Sequence, residues 1–467
     1  MSYGRRIIYT DAAQITLENV VEEVRKAFMV HGVNRTEIQK LNDYFRGKTA
    51  ILGKQKEIRE TINHKVNENR AYEIVSFHKG YTFGEAIQYV RRENTSQKSA
   101  DDAIAADINA LNGFMSDADK ATCDNDLAEW LYVCGTSYRM LLPNVWWQKD
   151  GDEPPFKLYS LDPRQTFVVY SSSVDKRPMM GVYYVERAES HERVFCVYTE
   201  SSYFEFTEFG TPKETGHALG MIPIIEYPAD ASRLGVFEIV VPQLDALDEL
   251  QSNRMDDIVQ FVNSFLAILG GELDEETANK LNEFKMLCLP EGVDAKYLSA
   301  SMSQSDVQTL KDDLYQSILT ICGVPNRNGG SSTSDTGSAV IMRDGWQAAE
   351  ARAKATELVF KKSEKNFLRL VLRILRDTVG TGLKLTDIET HFTRRNYENI
   401  ATKSQVLIAM LNNPKIHPEL AFTYCGMFVD PASAYLQSKE YYDEQMKKWE
   451  IKEVDESEDE DDVPVSG

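Results

Sequence analysis

Residue types that often perform catalysis are present in this sequence, but none has the spacing of a known catalytic site. The seven histidines are isolated, without the HExxH or HxH spacing that brings two imidazoles to one metal ion. No GxSxG nucleophile turn occurs. The Gly- and Ser-rich stretch 323–338 lacks the GxxxxGK[ST] phosphate loop, because its one basic residue, Arg327, precedes the paired glycines. The sequence therefore predicts no enzyme, no metal site and no cofactor.

Carboxylate pairs are the more abundant candidates, among them Asp256-Asp257 and Asp312-Asp313. In a chain with 73 acidic residues, adjacent pairs arise by chance, and neighbours on a helix do not face each other. One alternative stays open. A nucleic-acid-processing enzyme could bind Mg²⁺ through scattered carboxylates. In that case the protein would cleave or modify DNA with Mg²⁺, and alanine at both Asp256 and Asp257 would abolish the activity.

The net charge of -21 is unusually negative, and eight of the acidic residues lie in one ten-residue block, 453–462. Such a block repels itself and offers almost no apolar surface, so the segment 448–467 is predicted to be a disordered acidic tail. The remaining charge of -13 also argues against a protein that grips nucleic acid over its whole surface. It is compatible with a protein that DNA passes without sticking.

The six cysteines are scattered without a CxxC pair, and the N-terminal residues are polar and charged. This pattern predicts reduced thiols in a cytosolic protein. The longest apolar stretches, such as 261–269, are about half of the roughly 18 residues that a membrane span needs. We therefore expect a soluble protein that is not bound to a membrane.

Hydrophobic periodicity divides the chain into a helical N-terminal part, a β-rich middle and a helical C-terminal part. Short β-branched and aromatic runs between 137 and 227, separated by turn residues, predict an antiparallel meander. Long helices are predicted over 238–269, 306–322 and 339–378. Helices interrupted by prolines follow over 399–444. The helix over 339–378 is basic, with nine Lys and Arg against five acids.

Two of these predicted helices, 238–269 and 303–322, carry acidic residues on the polar face and flank a compact insertion. Taken alone, the pattern is typical of a helical hairpin with one solvated face. The acidic positions are Asp245, Asp248, Glu249, Asp256 and Asp257 in the first helix, and Asp312 and Asp313 in the second.

Several segments together resemble the siphovirus-like portal proteins of tailed bacteriophages, in the branch common among phages of Gram-positive hosts. The segment YTFGEAIQY at 81–89 is similar to a Tyr-x-x-Gly-x-x-apolar motif of that family. LDPRQTFVVY at 161–170 resembles its Asp-Pro strand start, and HALGMIPIIEYP at 217–228 matches a His-containing element. That element leads into a helix with an Asp-x-apolar-x-x-x-x-Ser pattern, Asp245 to Ser252. The order and spacing of these segments extend the resemblance over residues 70–440.

The resemblance implies an α+β portal fold with wing, stem, clip and crown regions, and long helices around a central channel. Residues 1–237 and the long helix 339–389 would form the wing, 238–269 and 303–322 the stem, 270–302 the clip, and 390–447 the crown. The loop 323–338 would be a tunnel loop beside the DNA. Its expected DNA-proximal residues are Asn326, Arg327, Asn328, Gly329, Gly330, Ser331, Ser332, Thr333 and Ser334.

By the same resemblance, the protein would be a ring subunit, usually one of about twelve, at one capsid vertex. Double-stranded DNA would pass through the ring. Expected partners are the large terminase, a head-completion adaptor, and the major capsid and scaffolding proteins. Assembly would take place in the host cytoplasm. Hydrolysis of ATP belongs to the terminase in that family, which agrees with the missing phosphate loop. A scaffold-like adaptor, which would form no closed ring, is a further alternative.

Overall fold

The computed structural model describes most of the chain, and the structural statements below refer to the residues that it describes. These are residues 4–57, 60–92, 101–149, 151, 153–190, 192–262, 265–269, 294–298, 304–326, 345–393, 400–428 and 431–460. Helices and mainly antiparallel sheets occupy largely separate stretches of the chain, so the predicted α+β class is confirmed.

Ten α-helices lie in the described residues. Some of their ends follow directly from the sequence. In the helix Pro418–Cys425, Pro418 occupies the first turn, and Gly426, directly after the last residue, has a φ of 64°, a left-handed conformation that glycine adopts without strain. The helices are α1 Val20–Phe45, α2 Arg70–Phe83, α3 Asp101–Asp117, α4 Lys120–Cys134, α5 Val241–Val262, α6 Gln304–Cys322, α7 Trp346–Thr378, α8 Ile400–Leu411, α9 Pro418–Cys425 and α10 Pro431–Glu460. Short 3₁₀ helices span Ala50–Gly53, Glu238–Val240 and Leu385–Asp387.

The described strands form four sheets. They are β1 Ile8–Thr10, β2 Gln88–Arg91, β3 Thr136–Pro143, β4 Phe156–Leu161, β5 Thr166–Ser171, β6 Pro178–Glu186, β7 Arg193–Tyr198, β8 Ser202–Thr207, β9 Lys213–Gly216, β10 Ile224–Pro228, β11 Phe265–Leu269, β12 Asp294–Leu298 and β13 Ile388–His391. The largest sheet has the order β1-β5-β6-β7-β8-β9, and β5 to β9 form the predicted antiparallel meander. The other sheets have the orders β10-β3-β4, β11-β12 and β13-β2.

The largest sheet packs one face against the N-terminal part of α1. Val20, Val24 and Ala27 recur at helical spacing and are buried against apolar side chains of the sheet, including Val182 and Phe204. Each such aliphatic or aromatic side chain contributes roughly 1.5–3 kcal/mol when it is fully removed from water. The burial of this face fixes the direction in which α1 leads to the segment after Phe45.

The chain divides into two compact units. The first comprises Met1–Gly80, Asp126–Met140 and Ser160–Ser363, and the second comprises Tyr81–Asn125, Leu141–Tyr159 and Glu364–Gly467. The six-stranded sheet, α5 and α6 belong to the first unit. The last three helices and the β2–β13 pair belong to the second.

Two predictions of secondary structure are wrong. The helix predicted to reach residue 269 ends at Val262, and Phe265–Leu269 is instead a strand paired antiparallel with Asp294–Leu298. Asn263 and Ser264, which have low helix propensity, separate the two, and the strand is an apolar run that suits a sheet. Part of the acidic tail predicted to be disordered from 448 is helical, since the helix that begins at Pro431 continues through Glu460.

Candidate functional site

The acidic face of α5 is directed at another part of the same chain. Asp245, Asp248, Ser252 and Asp256 follow one another at intervals of three or four residues, so they lie on one face of the helix. Their side chains contact the segment 44–68, which connects α1 to α2. The Asp245 carboxylate accepts a hydrogen bond from the Tyr44 hydroxyl at the start of this contact.

Asp248 and Ser252 bind the middle of the connecting segment. The buried Asp248 carboxylate accepts hydrogen bonds from the Thr49 hydroxyl at 2.9 Å and from the Glu68 backbone N–H at 3.0 Å. The Ser252 hydroxyl accepts one from the Val66 N–H at 2.9 Å. Burial raises the pKa of Asp248, and the two donated hydrogen bonds oppose that shift. These contacts supply partners for backbone amides that no helix or sheet satisfies.

Asp256 is the most heavily bonded of the four residues. Its carboxylate oxygens lie 2.5 Å from Lys56 Nζ, 3.3 Å from Lys54 Nζ, 2.7 Å from the His64 backbone nitrogen and 2.8 Å from His64 Nδ1. Burial alone would raise the pKa of Asp256. The hydrogen bonds donated by Lys56, His64 and Lys54 outweigh burial and hold the pKa far below the usual range. Asp256 is therefore a charged internal anchor.

These contacts correct part of the predicted acidic stem surface. Asp248 and Asp256 are buried, and Asp245 and Asp257 are half-buried. Glu249, Asp312 and Asp313 are exposed, as a solvated acidic surface requires. The sequence pattern could not separate the buried carboxylates from the exposed ones, because both kinds have the same spacing on a helix.

α6 packs beside α5 and contacts the same connecting segment. Arg254 on α5 donates hydrogen bonds to Gln304 at 2.9 Å and to Gln308 at 2.8 Å. Lys311 on α6 lies 2.7 Å from a carboxylate oxygen of Glu68. Tyr315 donates a hydrogen bond to Glu73 on α2 at 2.9 Å. The α5–α6 pair is thus held by polar contacts both between the helices and to the N-terminal region.

Apolar side chains on the α5–α6 pair are only partly covered. Met255 and Ile258 on α5 are 43% and 46% exposed, and Leu310 on α6 is 51% exposed. Leu244 and Leu247, nearer the start of α5, are buried. The α5–α6 pair therefore presents apolar surface that the described residues do not cover, which is typical of a contact with another molecule.

The predicted tunnel loop begins where α6 ends. Gly323 has a φ of 70°, and a Cβ at this position would lie 2.2 Å from Arg352 Cδ, so both the backbone and the available space favour glycine.

The buried His78 ring lies 2.9 Å from the Cys322 carbonyl oxygen and caps the helix end. Burial lowers the pKa of His78 to about 4, so the neutral ring donates through Nε2. Asn326 is described and half-buried, whereas Arg327 to Ser334 lie outside the described residues.

Of the predicted clip, 270–302, only β12 is described. It pairs with β11 from Phe265 opposite Leu298 to Leu269 opposite Asp294. Residues 270–293 and 299–302 of the predicted clip lie outside the described residues.

The described residues contain no group of three or more His, Cys, Asp or Glu placed to hold a metal ion. The proposed Mg²⁺ ligand Asp256 has both carboxylate oxygens bound by protein donors, which disfavours the alternative reading as a Mg²⁺ enzyme. The five described cysteines are free thiols. None of the described helices is long and apolar enough to span a membrane.

The segments that carry the family resemblance lie where one element passes into the next. Asp162 accepts a hydrogen bond from the Arg164 N–H at 2.8 Å and forms the turn before β5. The His217 ring lies 3.1 Å from the Thr199 carbonyl and precedes β10. Ser252 ends the Asp-to-Ser pattern with contacts to the connecting segment. These motif residues therefore have structural roles in this chain.

Sequence comparison gives the decisive observation, because the profile of the phage portal protein family, SPP1 Gp6-like, matches residues 29–460. The chain belongs to this phage portal family. The match extends over the connecting segment, the α5–α6 pair and α10. Portal proteins are structural components of the virion, and the fold described above is therefore a portal fold.

Two solved structures align with this portal protein. One is the neck of an empty gene transfer agent particle, computed with C6 symmetry; it is 13% identical, has a TM-score of 0.44, and the alignment covers 76% of this chain and 90% of that one. The other is the virion of a native gene transfer agent particle, at 14% identity and a TM-score of 0.41, covering 76% and 89%. No curated protein sequence matches the chain.

Proposed function

We propose that this portal protein is one subunit of a closed ring of about twelve copies at one capsid vertex, with a central channel for double-stranded DNA. The observation that carries the proposal is the family match over residues 29–460. In this role the ring is the head–tail connector: DNA enters through it during packaging and leaves through it during ejection. The ring forms in the host cytoplasm and remains in the virion.

The ring in this proposal docks the large terminase during packaging and a head-completion adaptor afterwards, and it contacts the major capsid and scaffolding proteins. The regions divide accordingly. Residues 1–237 and α7 belong to the wing, α5 and α6 to the stem, 270–302 to the clip, 323–338 to the tunnel loop and 390–447 to the crown.

Partly covered apolar side chains support contact between copies. Met255, Ile258 and Leu310 are each about half exposed on adjacent helices. A ring interface repeats the same pair of patches around the axis, so every copy would cover its neighbour's exposed apolar surface. Burial of this surface would favour ring closure without any interaction with DNA.

The exposed carboxylates support a channel that does not trap DNA. Each cation that neutralises a phosphate releases counterions and strengthens a salt-dependent grip on the polyanion. Glu249, Asp312 and Asp313 are exposed and acidic, whereas Asp248 and Asp256 are buried and bound to donors within the chain. We assign the three exposed residues, rather than all seven acidic positions, to the channel.

Reversing these three charges tests the assignment. In Glu249→Lys/Asp312→Lys/Asp313→Lys, rings are expected to assemble normally and to bind duplex DNA more tightly, with a steeper loss of affinity as salt rises. The matched control is Glu189→Lys/Glu200→Lys/Glu208→Lys, which makes the same change in charge at three exposed acidic residues of the sheet region. DNA affinity and packaging yield would be measured for both. Equal DNA binding by the triple variant and the control would overturn the channel assignment, while ring formation would still test the portal role.

A further inference from the structure

The second half of α7 presents an unpaired basic face. Lys365, Arg369, Arg373 and Arg376 fall within about 80° of the helix circumference and along about 16 Å of its length. All four side chains are exposed. We refer to these four residues as the basic stripe.

None of the four cations forms an ion pair in the described structure. Arg369 donates a hydrogen bond to Asn366 at 2.6 Å and Arg376 donates one to the Leu383 carbonyl at 3.1 Å, both uncharged partners. Asp377 lies one helical turn beyond Arg373 and is exposed. It forms no ion pair with any of the four stripe residues in the described structure. Four neighbouring cations without counter-charges repel one another, so the stripe is a surface that favours a polyanionic partner.

The same chain carries a segment of complementary charge. Residues 453–462 contain eight acidic residues and no basic one, and α10 extends through Glu460, so most of this block is presented on a helix. Blocks of like charge of this length commonly serve as interaction segments. Every subunit carries one stripe and one acidic block, so the two are available in equal numbers in any assembly of this chain.

We propose that the acidic segment 453–462 of a second copy binds the basic stripe and joins neighbouring subunits. The occupant is placed on a second copy because each copy carries both surfaces, so head-to-tail contacts of this kind would pair every stripe with a neighbour's acidic block. The contact needs two copies but no DNA, so it goes beyond the proposed function and can fail independently of it. Duplex DNA is the competing polyanion, and the experiment below separates the two.

Zero-length carbodiimide cross-linking tests the contact directly, because it joins a lysine amine to a carboxylate only when they touch. Full-length chains, one ¹⁵N-labelled and one unlabelled, are mixed at high ionic strength and returned to low ionic strength. Cross-linked peptides that join Lys365 to 453–462 are expected to carry mixed labels as often as matched labels. The exposed Lys213 serves as the control and should give no such peptide. The yield should fall about tenfold between 0.05 M and 0.5 M salt, since the Debye length shortens.

Charge-swapped variants keep the test decisive. Changing the four stripe residues to Glu, or the eight acidic residues to Lys, places like charges opposite each other and should abolish the carbodiimide cross-link. The doubly swapped chain again places lysines opposite carboxylates, with the two signs exchanged, and should restore it. Restoration excludes misfolding as the reason for the single losses. The proposal is overturned by cross-links within one label only, by no cross-link at all, or by stripe-dependent binding of duplex DNA that displaces the segment.

Discussion

Replacing Asp256 with asparagine removes the charge that four donors share while changing the side-chain volume little. Two donors are the ammonium groups of Lys54 and Lys56, at 3.3 and 2.5 Å, and the other two belong to His64. A hydrogen bond to a charged group contributes about 1.5–3 kcal/mol net. The lysine side chains are 14% and 26% exposed, so water compensates part of their loss. We expect the free energy of unfolding to fall by about 2–4 kcal/mol.

The loss should be local as well as global. Amide hydrogen exchange of the segment 60–68 is expected to accelerate in Asp256→Asn, because α5 no longer holds it. The effect also depends on pH. The folded-state pKa of Asp256 is depressed below the unfolded value of about 3.9, so the contribution is complete above that pH and is lost as the pH falls below it. The difference between wild type and variant should therefore shrink below about pH 4.

Asp257→Asn is the matched control, because Asp257 is adjacent in sequence and half-buried and has no hydrogen bond or ion pair in the described structure. Its stability is expected to stay within about 0.5 kcal/mol of wild type. Urea denaturation of both variants, with hydrogen exchange read out by mass spectrometry, measures the difference. Equal effects of the two substitutions, or loosening of α5–α6 without loosening of 60–68, would refute the anchoring role of Asp256.

Three further predictions concern buried histidines, a glycine and the loop. Burial lowers the pKa of His31 and His78 to about 4, so the unfolded chain binds more protons than the folded chain between about pH 6.5 and 4. The free energy of unfolding should therefore decrease by up to about 3 kcal/mol per histidine as the pH is lowered through that window. Urea titrations that show no decrease would contradict this. Gly323→Ala should cost about 1–3 kcal/mol, more than Gly380→Ala, which has a similar φ but open space around a Cβ; equal costs would rule out the contact with Arg352 as a cause. Deleting 329–336 should leave the ring intact but impair DNA packaging or retention, and normal packaging would count against the tunnel-loop role.

Much of the fold was predictable because it depends on local patterns. The meander from β5 to β9 follows from short β-branched runs between turn residues, and α6 follows from an apolar stripe of helical period. The helices α9 and α10 begin at Pro418 and Pro431, two of the prolines that interrupt the predicted helical region. These signals act over a few residues, so one sequence contains them in full.

Contacts between distant parts of the chain were not predictable in the same way. β1 pairs in parallel with β5, with Ile8 opposite Val169, and nothing in either segment specifies that partner. The role of Asp256 depends on Lys54, Lys56 and His64, almost two hundred residues away in sequence. Acidic spacing on a helix indicates a polar face but not whether water or a backbone amide lies opposite. For that reason the acidic positions were identified, whereas the division into anchors and exposed residues required the structure.

The central claim is that this chain closes into a ring, and the most direct measurement is native mass spectrometry with negative-stain microscopy of the purified full-length protein. The account predicts a closed ring of about twelve subunits with a central hole. It also predicts that a triple variant, Met255→Glu/Ile258→Glu/Leu310→Glu, does not form a closed ring, whereas the control variant Glu189→Gln does. A monodisperse monomer or dimer at micromolar concentration, unchanged when capsid and scaffolding proteins are co-expressed, would contradict it.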